Sequence, residues 1–134
     1  AAWVKNDIGT GAGTDDIAGW WNYPSSKSWI LTHHNNNKYF WEIAGKGFVT
    51  AGTVSTNWTH IVGTYDGSAM RLYVNGVQAA SQGGFSGNLP FSNADLIIAG
   101  QQDGNNYFNG KIDEFRLYDR ALTSQEILNL FNNA

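Results

Sequence analysis

Apolar and polar residues alternate with a period of two in several short runs, and the clearest pair lies between Trp58 and Val74. Ile61, Gly63 and Tyr65 share one side of the first run, and Met70, Leu72 and Val74 share one side of the second. His60, Val62, Thr64, Arg71 and Tyr73 fall on the other side, which is mixed. Residues 66–69 (Asp-Gly-Ser-Ala) form the turn between the runs, and Asn75-Gly76 marks a second turn with positive φ at both central residues. The turn length predicts a register in which Tyr65 opposes Met70, Gly63 opposes Leu72 and Ile61 opposes Val74. A slip of one residue would carry the apolar set to the solvent face, so burial enforces this register.

The same patterning predicts the rest of the chain. Ala2-Trp3-Val4 reads as a short strand, and residues 5–19 as a loop rich in Gly, Thr and Asp. Residues 20–24 are an aromatic cluster closed by a proline turn. Residues 28–34 and 38–44 form a hairpin across 35–37, with Tyr39, Trp41 and Ile43 inward and Phe40 and Glu42 outward. Residues 48–54 are a further strand, 77–91 a polar, glycine-rich connection, 95–100 a buried strand and 101–106 a loop. Residues 111–119 alternate, with Phe115 and Leu117 on one side. Thr123-Ser-Gln-Glu126 is a capping box ahead of Ile127, Leu128, Leu130 and Phe131, which predicts a short helix packed by its apolar side. No repeat or linker interrupts residues 1–134, which read as one all-β domain.

Composition narrows the partners. The 134 residues contain no cysteine, so neither disulfides nor thiolate metal sites are available, and a chain of this length forms a core without them. Eight basic residues are dispersed in a chain of net charge −3, which argues against nucleic acid. No apolar run reaches the roughly 18 residues of a membrane helix. Sixteen glycines, two prolines and 14% aromatic residues suit short strands joined by many turns, and with few charges they suggest an extracellular recognition module.

Three motifs carry a family resemblance: Trp58-Thr-His-Ile-Val-Gly-Thr-Tyr-Asp-Gly67, Arg71-Leu-Tyr-Val-Asn-Gly76, and Phe108-Asn-Gly-Lys-Ile-Asp-Glu-Phe-Arg-Leu-Tyr-Asp-Arg-Ala-Leu-Thr123 followed by Glu126-Ile127. Together they resemble the laminin-G-like, concanavalin-A-like jelly-roll superfamily, which includes pentraxins, lectins and carbohydrate-binding modules. The resemblance implies two packed antiparallel sheets, one of them concave, with Ala2-Trp3-Val4-Lys5 matching the family's second strand. It also implies a core role for Trp58 and a buried acceptor role for Asp113. Only two residues stand where the family's first strand would be, so an open sheet edge near Phe115 and Leu117 and self-association through it are expected. Fold alone leaves function open.

Candidate chemistry is sparse. Related glucanases use two carboxyls spaced Glu-x-Asp-x-Glu on one strand face, and Glu42, Glu114 and Glu126 do not form that pattern. His33 and His34 are neighbours in a strand and point apart, which disfavours zinc. Asp15 and Asp16 are the best pair for a loop calcium, weighed against solvated loop acids, which are favoured. The expected ligand is a glycan, whose apolar ring faces need aromatic platforms beside polar groups. The first candidates are Trp20, Trp21 and Tyr23. The second are Phe40, Glu42, His60, Arg71 and Tyr73 on the mixed sheet face. A protein-binding or structural adhesion module is the alternative, and a glycan-active enzyme the third reading.

Overall fold

A computed structural model of the chain describes residues 1–7, 13–34, 36–102 and 104–134. Ten strands form two five-stranded antiparallel sheets, a jelly-roll sandwich with one terminal helix. Sheet A contains β1 (Ala2–Asn6), β6 (Thr59–Tyr65), β7 (Ala69–Val74), β8 (Val77–Gly83) and β10 (Gly110–Asp113), in the order β10-β1-β6-β7-β8. Sheet B contains β2 (Asp15–Asn22), β3 (Ser26–His34), β4 (Lys38–Ile43), β5 (Gly47–Ala51) and β9 (Leu96–Ile98), in the order β5-β4-β3-β2-β9.

The β6–β7 hairpin has the predicted register, with Ile61, Gly63 and Tyr65 opposite Val74, Leu72 and Met70. Asn75 and Gly76 adopt φ of 51° and 81°, as the turn requires. Between the sheets, Ile61, Met70 and Leu72 meet Trp29, Leu31, Tyr39, Trp41 and Ile43, all buried. The Trp41 indole crosses the interface and donates to the Thr64 carbonyl at 3.1 Å. Its ring lies over Gly63, where a Cβ would sit 2.4 Å from it, so glycine is what lets the indole reach that carbonyl.

Several expectations need correction. Residues 5–19 are not one loop: Lys5 and Asn6 belong to β1, and 15–19 belong to β2. Ile17 is inserted between the paired Asp16 and Ala18, and a second register shift follows Gly19; these bulges erase the alternation that would have revealed the strand. Residues 8–12 of that predicted loop lie outside the described residues. Residues 77–83 are a strand that reads as polar because it is an exposed sheet edge. β9 is likewise an edge strand, only three residues long, with Ile98 47% exposed rather than buried. β10 stops where Glu114 turns to φ 48°, so the predicted alternation to 119 is not a strand, and Leu117 is 48% exposed. Asp113 is exposed and accepts the adjacent Glu114 amide at 2.7 Å. Trp58 precedes β6 and is 43% exposed, so it is not a core anchor.

Helix α1 (Ser124–Asn132) begins at the predicted capping box: Thr123 accepts from the Glu126 amide, and the Glu126 carboxylate accepts from the Thr123 amide. Its apolar side covers the outer face of sheet A, where Ile127 packs with Val62, Tyr73 and Leu122. Phe131 stacks on Trp3 at 5.6 Å and lies 6.2 Å from the His60 ring.

Candidate functional site

The two outer faces of the sandwich differ. That of sheet A lies beneath α1, whereas among the described residues no strand or helix is stacked on that of sheet B. Directly opposed residues in antiparallel strands share a face, so the register of sheet B defines its outer surface row by row. One row is Asp16, Thr32, Phe40 and Thr50; the next is Ile97, Gly19, Ile30, Glu42 and Phe48. Gly19 keeps this second row low, because a Cβ there would sit 3.0 Å from the Ile30 side chain and 2.8 Å from the Trp29 carbonyl. Ile30, Thr32 and Phe40 are buried although they face outward, and Phe48 at the margin is 51% exposed. The surface is therefore a shallow trough whose apolar floor is closely packed, with Phe48 and, in part, Glu42 reaching solvent.

Aromatic and polar groups ring this floor. Phe40 and Phe48 lie 5.1 Å apart, and the His34 ring stacks on Phe40 at 3.9 Å. At the other end Trp21 is buried, and the Lys27 ammonium lies 5.4 Å from its ring and 5.1 Å from that of Tyr23, which is 64% exposed. Burial raises the Glu42 carboxyl above its ordinary range; nearby Lys27 opposes the shift and Asp16 adds to it. Burial also raises Asp16, against hydrogen bonds from Thr32, Gln101 and Asn106. Burial lowers His34, reinforced by His33.

Trp20, Trp21 and Tyr23 do not act as one cluster. Trp20 turns inward and meets Trp29 edge-on at 5.7 Å, while Trp21 faces outward. Phe40 and Glu42 face outward, as predicted. His60 and Tyr73 do not form an open binding surface, because α1 closes over both, and Arg71 is paired with Asp66 at 2.6 Å. For His60 and Tyr73 the cause is the helix that the capping box predicts: it needs an apolar bed, and the mixed face of β6 and β7 supplies it. Asp15 and Asp16 also diverge. Asp15 lies 3.3 Å from His33, which points to the sandwich interior, while Asp16 is sealed on the outer side beneath Gln101. They do not converge on one ion, and no cluster of three or more metal-ligating side chains occurs among the described residues.

Lys27, Thr32, His34 and Phe48 are trough residues that sequence reasoning missed. Continuing the 38–43 alternation across the turn at residues 44–46 pairs Glu42 with Phe48, which was legible in principle. The Asp16–Gln101 contact joins residues far apart in the chain and leaves no local signal.

Two packed five-stranded antiparallel sheets with a short terminal helix define a jelly-roll class of domain. A family profile described as the concanavalin A-like lectin/glucanases superfamily, of laminin G type, matches residues 1–128, and the chain belongs to that superfamily. It is similar to human adhesion G-protein coupled receptor D1, at 38% identity over 81 residues covering 58% of this chain and 9% of the receptor. The fold is similar to a candidate carbohydrate binding protein from Bacteroides ovatus, with a TM-score of 0.75 and 21% identity, covering 95% of this chain and 38% of that one. It is also similar to the CBM40 of Ruminococcus gnavus IT-sialidase bound to α2,3-sialyllactose, with a TM-score of 0.70 and 12% identity, covering 97% of this chain and 79% of that one.

Proposed function

We propose that this domain is a non-catalytic recognition module that binds a glycan in the outer trough of sheet B, in an extracellular or cell-surface setting. The observation that carries this reading is the outer face of sheet B, where Tyr23 and Phe48 are exposed and Glu42 is half-buried beside the packed Ile30, Phe40 and Trp21. It offers apolar platforms for ring faces and a carboxylate and an ammonium for hydroxyls. The two fold relatives named for carbohydrate binding support the ligand class. Hydrolysis by a carboxyl pair needs both groups at the scissile bond. Asp16, whose row on this face adjoins that of Glu42, is sealed from solvent, so it is not available as the second carboxyl of such a pair. A second reading, protein binding or self-association as an adhesion module, is favoured by a separate groove into the core beside Leu117 and by the similarity to the adhesion receptor.

A single stacking site with a few hydrogen bonds binds with Kd on the order of 10 µM to 1 mM. The test is a glycan array followed by affinity gels with Tyr23→Ala, Phe48→Ala and Glu42→Gln. Tyr23 and Phe48 are exposed, so their loss leaves the melting temperature close to that of the parent chain. Each variant is expected to be retarded less on the gel that retards the parent. Retention unchanged in all three moves the site off sheet B, and a parent chain that binds no glycan gives the ground to the protein-binding reading.

A further inference from the structure

A second recess lies on the opposite sheet, beyond the C-terminal end of α1. Trp3, Trp58, Asp113, Glu114 and Ala134 line a shallow, open depression of about 270 Å³. β1 places Trp3 opposite both Asp113 and His60, so Asp113, Trp3 and His60 form one row of the outer face of sheet A. Phe131 stacks on Trp3 at 5.6 Å and the His60 ring lies tilted against it at 5.1 Å. Trp58 stands outside that stack with 43% of its surface in solvent, a poor use of an indole unless something covers it. Asp113 is fixed in orientation because one carboxylate oxygen accepts the Glu114 amide at 2.7 Å, leaving the other oxygen without a partner among the described residues. The next row contains Lys5 opposite Lys111, and neither ammonium is in an ion pair among the described residues. A flat exposed indole, an oriented acceptor and nearby cationic donors are what a sugar ring needs: one apolar face to stack and a rim of hydroxyls that both donate and accept.

We propose that this recess is a second saccharide subsite, in which one pyranose ring stacks on Trp58 and hydrogen-bonds to Asp113. The ligand class rests on the proposed function, but the residues share nothing with the trough of sheet B, so the domain would engage glycan on both faces of the sandwich. Two sites on opposite faces would let one domain bridge two glycan chains, a gain in avidity that neither site gives alone.

The test is a titration of the ¹⁵N-labelled chain with the methyl glycosides of glucose, galactose and N-acetylglucosamine. The six tryptophans give six indole N–H signals, assigned through single Trp→Phe variants. The Trp58 signal is expected to move with Kd on the order of 1–10 mM for at least one glycoside. Trp58→Ala abolishes the accompanying shift at Trp3, and Asp113→Asn weakens binding about tenfold, close to 1.4 kcal/mol. Movement of the Trp21 signal with Trp3 and Trp58 unmoved overturns this subsite and leaves the trough intact. Movement of Trp58 with Trp21 unmoved supports the subsite and counts against the trough. Silence of Trp3 and Trp58 toward all three sugars also overturns it.

Discussion

Gly63 shows how a single residue sets the geometry between the sheets. It sits at the centre of β6 with ordinary extended backbone, so its role is space and not conformational freedom. The Trp41 indole occupies the volume where a side chain would begin, with ring atoms 2.4, 2.6 and 2.8 Å from the point a Cβ would take. A methyl group there has to push the ring aside and weaken its hydrogen bond to Thr64. Gly63→Ala is therefore expected to destabilise the fold by about 1–3 kcal/mol, the usual range for overpacking a close-fitted core. Chemical denaturation reads this directly, and an unchanged midpoint would show that Trp41 has room to move. Trp58 carries the opposite lesson. Its motif and its place at the head of β6 suggest an anchor, yet it begins before the first strand pair and remains in solvent.

At the scale of elements, α1 decides what the outer face of sheet A can do, and its effect on His60 is measurable. Burial, with smaller contributions from the N-terminal ammonium and Arg116, lowers the His60 imidazole to about 4. In the unfolded chain it titrates near 6.5. Between these values the unfolded state takes up a proton that the folded state refuses, so stability falls as the pH drops through this window. Above the unfolded value the effect is absent, and below the folded value it is complete, at roughly 3 kcal/mol. The difference in unfolding free energy between the parent and His60→Gln, measured from pH 7.5 to pH 4, is expected to show this slope. Parallel curves would mean that α1 opens readily and admits water to the ring. The sequence contained both halves of this arrangement, the capping box and the mixed face of β6 and β7, but not their union. Alternation shows which residues share a face, while the covering of that face depends on contacts between residues distant in the chain. For the same reason the β6–β7 register and the outward turn of Phe40 and Glu42 were legible, whereas β2, broken by two bulges, was not.

At the scale of the whole molecule, the sandwich is not closed on every side. A cavity of about 130 Å³ opens between β6 and residues 115–122, and its walls include Trp29, Leu31 and Trp41 from the core. Leu117 and Tyr118 stand at its mouth, 48% and 38% exposed, on the segment that stops being a strand at Glu114. Arg116 is paired with Ala1 through its backbone, while Phe115 and Leu117 line the groove, so it suits an apolar side chain from outside, and in the isolated chain the available source is a second copy. We propose that the domain self-associates through this groove. Sedimentation is expected to show a concentration-dependent rise in mass, and Leu117→Lys to reduce it by placing a charge at the mouth. The same variant should bind less of a hydrophobic dye than the parent. A parent chain that stays monomeric at high concentration and binds no dye would show that the groove is satisfied within one molecule, and the edge inferred from the motif spacing would then be closed by the chain's own side chains.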